Sequence, residues 1–210
     1  MSAVLVTAGA TRNPVDAVRY ISANSSGRTG VEIAHLLKTQ GMDVTLMGSE
    51  EAALRAKNVN TEVYADTRDL MHRMERWVRA HPHGAVIHAA AVGDYEAITA
   101  LQHKIPSGDD EITLRLVRTP KIADAVRGWG LFGPYVTFKA ASPETTPTQL
   151  AHIAHQQRVR VDCDLVFGNV IGALETTATL VGEDTTRYNS RAAAIEQLVA
   201  YVVSVFNQRA

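Results

Sequence analysis

Short apolar runs of β type alternate along this chain with segments whose apolar residues recur at helical spacing. That alternation restricts the fold more than any other feature. Residues 3–7 form a first β-type run, closed by Ala8-Gly9. Val31, Ile33, Ala34, Leu36 and Leu37 mark a helix over about 28–40, with Gly41 in the C′ position that ends helices. Strands are expected over 43–47 and 61–64, a helix over 67–81, and a buried strand over 84–88 running into Ala89-Ala90-Ala91. After a lapse over 92–110, Ile112, Leu114 and Leu116 alternate with Thr113 and Arg115 as a half-exposed strand would. Pro120 suits the first turn of a helix reaching about Trp129. Then come a strand over 135–139, a helix over 148–158, a strand over 164–168, a hairpin from 178–181 and 186–188, and a closing amphipathic helix through Ile195, Leu198, Val199, Val202, Val205 and Phe206. The order predicts an α/β fold, Rossmann-like, with a mostly parallel sheet and helices on both faces. With no repeat, linker or low-complexity segment, residues 1–210 read as a single domain.

Composition excludes several function classes. Lys and Arg number 21 against 22 Asp and Glu, so the positive excess of a nonspecific nucleic-acid binder is absent. No apolar run reaches the roughly 18–20 residues that span a bilayer, and the first residues have no basic leader, so no membrane partner is expected. The single cysteine, Cys163, lies between Asp162 and Asp164, which disfavour its thiolate; it reads as a small buried side chain. Without a disulfide or a signal, a cytoplasmic location is expected.

Ligands of such sheets bind at the carboxyl ends of the strands, where four segments fall. The first is Gly9-Ala10-Thr11-Arg12-Asn13-Pro14, a glycine turn that suits a nucleotide or a plain strand-to-helix connection. The second, residues 18–30, is rich in hydroxyls, with Arg19, Asn24, Ser25, Ser26, Gly27, Arg28 and Gly30 feeding into a helix. Backbone N–H groups there, with serines and arginines, make an anion pocket, while a bare helix cap needs far less. The third is Ala90-Ala91-Val92-Gly93-Asp94-Tyr95, where small residues admit a ligand to the backbone and Asp94 offers a carboxylate. The fourth joins His103-Lys104-Ile105-Pro106-Ser107 to Phe138-Lys139; a loop lysine can close over phosphates as a point charge.

The wording of these segments resembles a known family. Residues 4–22, together with Ser25-Ser26-Gly27, Ala90–Tyr95, Lys104-Ile105, Thr119-Pro120-Lys121-Ile122, Phe138-Lys139 and Asp164–Asn169, look like phosphopantothenate–cysteine ligase, also called phosphopantothenoylcysteine synthetase. The length suits the stand-alone bacterial form. The resemblance implies a homodimer that joins 4′-phosphopantothenate to L-cysteine in coenzyme A synthesis. The nucleotide is CTP or ATP, with CTP the expectation for a bacterial enzyme, assisted by Mg²⁺. The substrate carboxylate forms an acyl-nucleotide with loss of pyrophosphate, and the cysteine amine then displaces the nucleotide. Carried onto this chain, Ala90, Ala91 and Asp94 hold phosphopantothenate, and Arg19 reaches the substrate of the neighbouring subunit. Lys104 neutralises nucleotide phosphates, and Gly9 and Phe138 line the nucleotide pocket, with Lys139 beside them. The chain departs from the family pattern at Ala23, where the family has an asparagine and this chain places Asn24 one residue later. It also departs at Ala10, in place of a glycine, and at Gln157, Arg158, Arg160 and Val161, where the family often has lysines. Arg160 is the candidate substitute cation.

Two other readings use the same residues. A short-chain nicotinamide-dependent reductase would exploit the glycine turn and the Tyr135-x-x-x-Lys139 spacing, but it needs that pair on one helix face. A non-catalytic relative of the ligase would keep the pocket and lack turnover, given Ala23. Catalysis by a protein-held metal has little to build on: His152 and His155, or His81 and His83, lack a third ligand at the usual spacing, so no metal site is expected.

Overall fold

The computed structural model describes residues 2–108, 110–173 and 176–208. Strand β1 (Ala3–Ala8) is buried on both faces, as its unbroken apolar sequence requires. It leads into a small hairpin of β2 (Arg12–Pro14) and β3 (Tyr20–Ser22), then α1 (Arg28–Thr39), β4 (Asp43–Gly48), the short α2 (Glu50–Arg55), β5 (Asn60–Val63), α3 (Thr67–Ala80) and β6 (Ala85–His88). An excursion then carries β7 (Tyr95–Ala97) and β8 (Leu116–Arg118), paired antiparallel with each other and outside the main sheet. The chain continues through α4 (Ile122–Ala125), a 3₁₀ turn (Arg127–Trp129), β9 (Tyr135–Ala141), α5 (Pro147–Val161), β10 (Leu165–Val170), the hairpin β11 (Ala178–Val181) and β12 (Thr185–Tyr188), and α6 (Arg191–Asn207).

The main sheet has eight strands in the order β12-β11-β10-β9-β6-β1-β4-β5, parallel except for β11 and β12. Strand order reverses between β1 and β6, which opens a crevice at their carboxyl ends. Residues alternate between two apolar layers. Val4, Val6, Ile87, Val136 and Phe167 pack under α1 and α6. Leu5, Val86, Tyr135 and Val166 pack against α3, α4 and α5. The helices end where their sequences allow. Asp66 caps α3 through the Asp69 N–H, Ser190 caps α6 through the Ala193 N–H, and Thr146 with Gln149 forms a reciprocal capping box on α5.

Three expectations need correction. The alternation at 112–116 does not make a strand there; the strand is Leu116–Arg118, and Ile112, Leu114 and Leu116 are all exposed, so no core faces them. The helix expected from Pro120 to Trp129 is a four-residue helix and a 3₁₀ turn, ended by Gly130 with φ +96°. The lapse over 92–110 contains β7, and the β2–β3 hairpin and α2 lie where no element is expected from periodicity. Among the described residues no helix is long and apolar enough to cross a membrane.

Candidate active site

Period-2 alternation places two rows of side chains beyond the core at the carboxyl edge. On the α3/α4/α5 face, Thr7, His88 and Thr137 lie side by side on β1, β6 and β9. The Thr7 hydroxyl sits 2.8 Å from His88 Nδ1 and accepts the Ala90 N–H at 3.0 Å. The Thr7 hydroxyl thus ties the His88 ring to the backbone of the loop after β6. Burial pushes the imidazole down to about 4, so it is neutral at neutral pH. Thr137 Oγ1 accepts from Gln157 Nε2 at 3.0 Å and contacts Cys163 Sγ at 3.3 Å. Cys163 is buried, and that burial raises its thiol above the usual range, as a structural cysteine requires.

His88 and Thr137 of this row floor a cavity of about 340 Å³ on the α5 side of the sheet. Ala90 and Asp94 border it from the loop after β6, Phe138 and Lys139 from β9, and Gln157 and Arg160 from α5. The structure thus brings five candidate residues, Ala90, Asp94, Phe138, Lys139 and Arg160, to one place from segments far apart in sequence. Phe138 also stacks on Phe167, ring centroids 4.9 Å apart, in the opposite layer. Two cations and two carboxylates are already engaged: Lys121 with Asp94, and Arg160 with Asp124. These pairs are exposed and contribute little to folding, so a ligand can exchange partners with them at small cost.

The other row continues the α1/α6 face. Ala89 and Asn169 border a cleft of about 360 Å³ with Asn24, Ser25, Ser26, Gly27, Arg28 and Arg191. Neither serine caps α1. The N-cap is Gly27, left-handed at φ 73°, with no side-chain cap, so the first N–H groups of α1 face this cleft without a protein acceptor from the cap. Arg191 reaches over from α6 to Glu32 and Thr29. Helix N–H groups with two arginines make a site for anionic oxygens. Ala89 and Ala90, adjacent in sequence, thus line two different cavities on opposite faces.

Gly9 and Ala91 line neither space and instead hold the wall between them. A Cβ on Gly9 would meet Ser49 Oγ at 2.1 Å, and one on Gly27 would meet Gly9 N at 2.8 Å. Ala91 donates to Gly9 O and accepts from Thr11 N, tying the first loop to the third. Arg19, on the turn between β2 and β3, meets the excursion next to Lys104. Arg19 Nη1 bonds Asp16 Oδ2 at 2.8 Å and Ile105 O at 3.3 Å, and Lys104 is exposed beside Ile105. Tyr135 and Lys139 share a strand, four residues and about 13 Å of rise apart, which removes the helical pair a short-chain reductase needs. Sequence reasoning did not single out His88, Gln157, Asn169, Arg191 or Asp16 as site residues. For His88 and Asn169 the signal was available: each continues an alternating strand pattern past the last core residue. Among the described residues no three His, Cys, Asp or Glu side chains are placed to hold a metal ion.

Residues 1–197 match the model of the DNA/pantothenate metabolism flavoprotein C-terminal domain. The chain is 35% identical over 187 residues to the Coenzyme A biosynthesis bifunctional protein CoaBC of Thermococcus kodakarensis, covering 86% of this chain and 45% of that protein. It is 35% identical over 173 residues to the protein of the same name from Escherichia coli, covering 79% and 40%. The chain therefore spans less than half the length of these curated relatives. The crystal structure of the DNA/pantothenate metabolism flavoprotein from Streptococcus pneumoniae superposes with TM-score 0.85 at 23% identity, covering 97% of this chain and 99% of that one. The C-terminal domain of a Coenzyme A biosynthesis bifunctional protein CoaBC superposes with TM-score 0.77 at 18% identity, covering 99% and 96%. Both share the fold.

Proposed function

Starting from a chain that belongs to the DNA/pantothenate metabolism flavoprotein C-terminal domain family, we propose that it is a nucleotide-dependent phosphopantothenate–cysteine ligase of coenzyme A biosynthesis. The observation that carries this reading is the shared wall at Ala89-Ala90, which opens a polar cavity on one face and an arginine-lined anion cleft on the other. A nucleoside triphosphate has those two halves. We place its nucleoside in the α5-side cavity with Phe138, Lys139 and Arg160, and its phosphates toward the α1 N-terminus, with Lys104 closing over them. CTP is the nucleotide we favour over ATP. We place phosphopantothenate at Ala90 and Asp94, at the mouth of the crevice, with the Ala91 backbone bracing the wall behind them. Its carboxylate attacks the α-phosphorus and pyrophosphate leaves. The cysteine amine then attacks the acyl carbon and expels the nucleoside monophosphate. Positioning and charge neutralisation supply most of the acceleration in such a reaction.

Mg²⁺ belongs with the phosphates. Glu32, the carboxylate lining the cleft, would help hold it, and the ion would neutralise phosphate charge with no protein cage needed. Asn24 lines that cleft, and it is the amide we assign to the acyl transfer in place of Ala23. Homodimerisation is supported by exposed apolar residues on the two small sheets and their loops, among them Tyr20 on β3 and Val18, Ile98, Leu101 and Leu114 in the loops. Arg19 lies on that same lobe, where a partner's site could receive it. A cytoplasmic protein is the corresponding expectation.

The test is product formation from phosphopantothenate, cysteine and CTP or ATP, followed by mass spectrometry. Asn24→Ala should slow the second half-reaction by about 10²–10³, the worth of one preorganised donor, while pyrophosphate release continues and the acyl-nucleotide accumulates. Failure to release pyrophosphate with either nucleotide would remove the ligase reading and leave a binding-only relative.

A further inference from the structure

Asp16, on the turn between β2 and β3, is buried, and its carboxylate is completely covered. Its Oδ1 accepts the N–H groups of Val18 and Arg19, both at 2.8 Å. Its Oδ2 accepts the Ile105 N–H at 3.0 Å and Arg19 Nη1 at 2.8 Å. All four acceptor positions are filled. One donor, Ile105, comes from 89 residues away. The other fastenings of that distant segment end on the same turn: Leu101 N–H donates to Val15 O at 3.0 Å, and Arg19 Nη1 to Ile105 O. Among the described residues, every hydrogen bond joining residues 99–108 to the rest of the protein ends on residues 15–19. Lys104 immediately precedes the anchored Ile105, and Pro106 follows it and restricts the backbone there.

We propose that Asp16 is the positioning residue for Lys104: one carboxylate fastens the 99–108 loop to the 15–19 turn, and so fixes where the Lys104 ammonium can meet nucleotide phosphate. The proposal rests on the reading of Lys104 as a phosphate ligand. The Asp16 carboxyl is held down to about 2, foremost by the Ile105 N–H and then by the Val18 and Arg19 N–H groups and the Arg19 charge, against the opposing effect of burial. It is therefore ionised at every pH at which the protein would be assayed. Asparagine in its place presents one acceptor oxygen and an NH₂ to four donors, so the clasp cannot be kept.

The experiment is a double-mutant cycle on nucleotide affinity, with CTP and ATP each titrated by calorimetry, beside hydrogen exchange at residues 99–108. Asp16→Asn should raise exchange across that loop. It should also weaken nucleotide binding about tenfold, as when the competent loop conformation falls to about a tenth of the population. In a background of Lys104→Ala the same substitution should cost nothing further, because there is no lysine left to position. Additive losses, or an unchanged affinity in Asp16→Asn while Lys104→Ala weakens binding, would overturn the proposal. Should Lys104→Ala itself leave affinity unchanged, the phosphate reading of Lys104 fails and the proposal fails with it, while raised exchange in Asp16→Asn would still show the clasp. If Asp16→Asn does not fold, Ile105→Pro removes the distant N–H with the carboxylate intact and faces the same criteria.

Discussion

The two spaces at the carboxyl edge of the sheet share a wall at Ala89-Ala90 and are built in opposite ways. The α1-side cleft takes Asn24, Ser25, Ser26, Gly27 and Arg28 from one contiguous stretch, and its shape is a property of backbone conformation. The α5-side cavity takes a few residues from each of four separated segments, and its character lies in side chains: a neutral histidine, a glutamine, two paired cations. A site made from a single loop is damaged through its glycines. A site assembled from many elements is damaged through its chemistry, with the fold left standing.

Gly9→Ala, in the wall between the two spaces, should have the largest effect. The new Cβ meets Ser49 Oγ and Cβ at 2.1 and 2.7 Å, and φ +88° is a left-handed conformation. Left-handed strain of about 1–2 kcal/mol and overpacking of about 1–3 kcal/mol act together. Denaturant unfolding should show a loss of about 3 kcal/mol, partly restored by Ser49→Gly. A loss under about 1 kcal/mol would mean that the wall is not held by this contact.

His88 should show the contrasting behaviour, a pH effect. With its folded-state value down to about 4, against 6.5 ordinarily, the unfolded chain binds the proton first as pH falls. Stability from this group is thus fully present above about 6.5 and is lost as pH drops toward about 4. The upper limit is about 3 kcal/mol, at about 1.4 kcal/mol per pH unit. His88→Asn should flatten the urea-unfolding difference between pH 7 and pH 4.5 relative to the wild type. An equal pH dependence in both proteins would show that His88 is not the group responsible.

The smallest stability effects belong to the arginines, one in each space. Arg191 is mostly covered and joins α6 to Glu32 and Thr29, so Arg191→Ala should cost about 1 kcal/mol. Arg160 pairs with Asp124 in solvent, and Arg160→Ala should cost at most about 0.5 kcal/mol. Nucleotide affinity should nonetheless fall in both. Loss in one alone, by calorimetry, would confine the nucleotide to a single side of the wall.

Much of this was legible beforehand. The Ser25-Ser26-Gly27-Arg28 stretch reads as an anion loop because its parts are neighbours in sequence, and the alternation of elements fixes a parallel sheet with ligands at its carboxyl edge. The misplaced strand at 112–116 has a plain cause. Ile112, Leu114 and Leu116 alternate as a half-buried strand would, yet all three face solvent, because periodicity records which residues could share a face and says nothing of what lies opposite.

By itself, the sequence determined the α/β layering, the main alternation of core strands and helices, the polar character of the 24–30 stretch and the likeness to the ligase family. Each depends on residues close along the chain or on a pattern repeated with the period of the backbone. Only the tertiary structure decided that Ala89 and Ala90 look into different spaces, that Ala91 and Gly9 brace the wall between them, and that Asp16 clasps a loop 89 residues away. Those facts depend on strand register and on which donors converge on one carboxylate, and both are set when distant segments pack together.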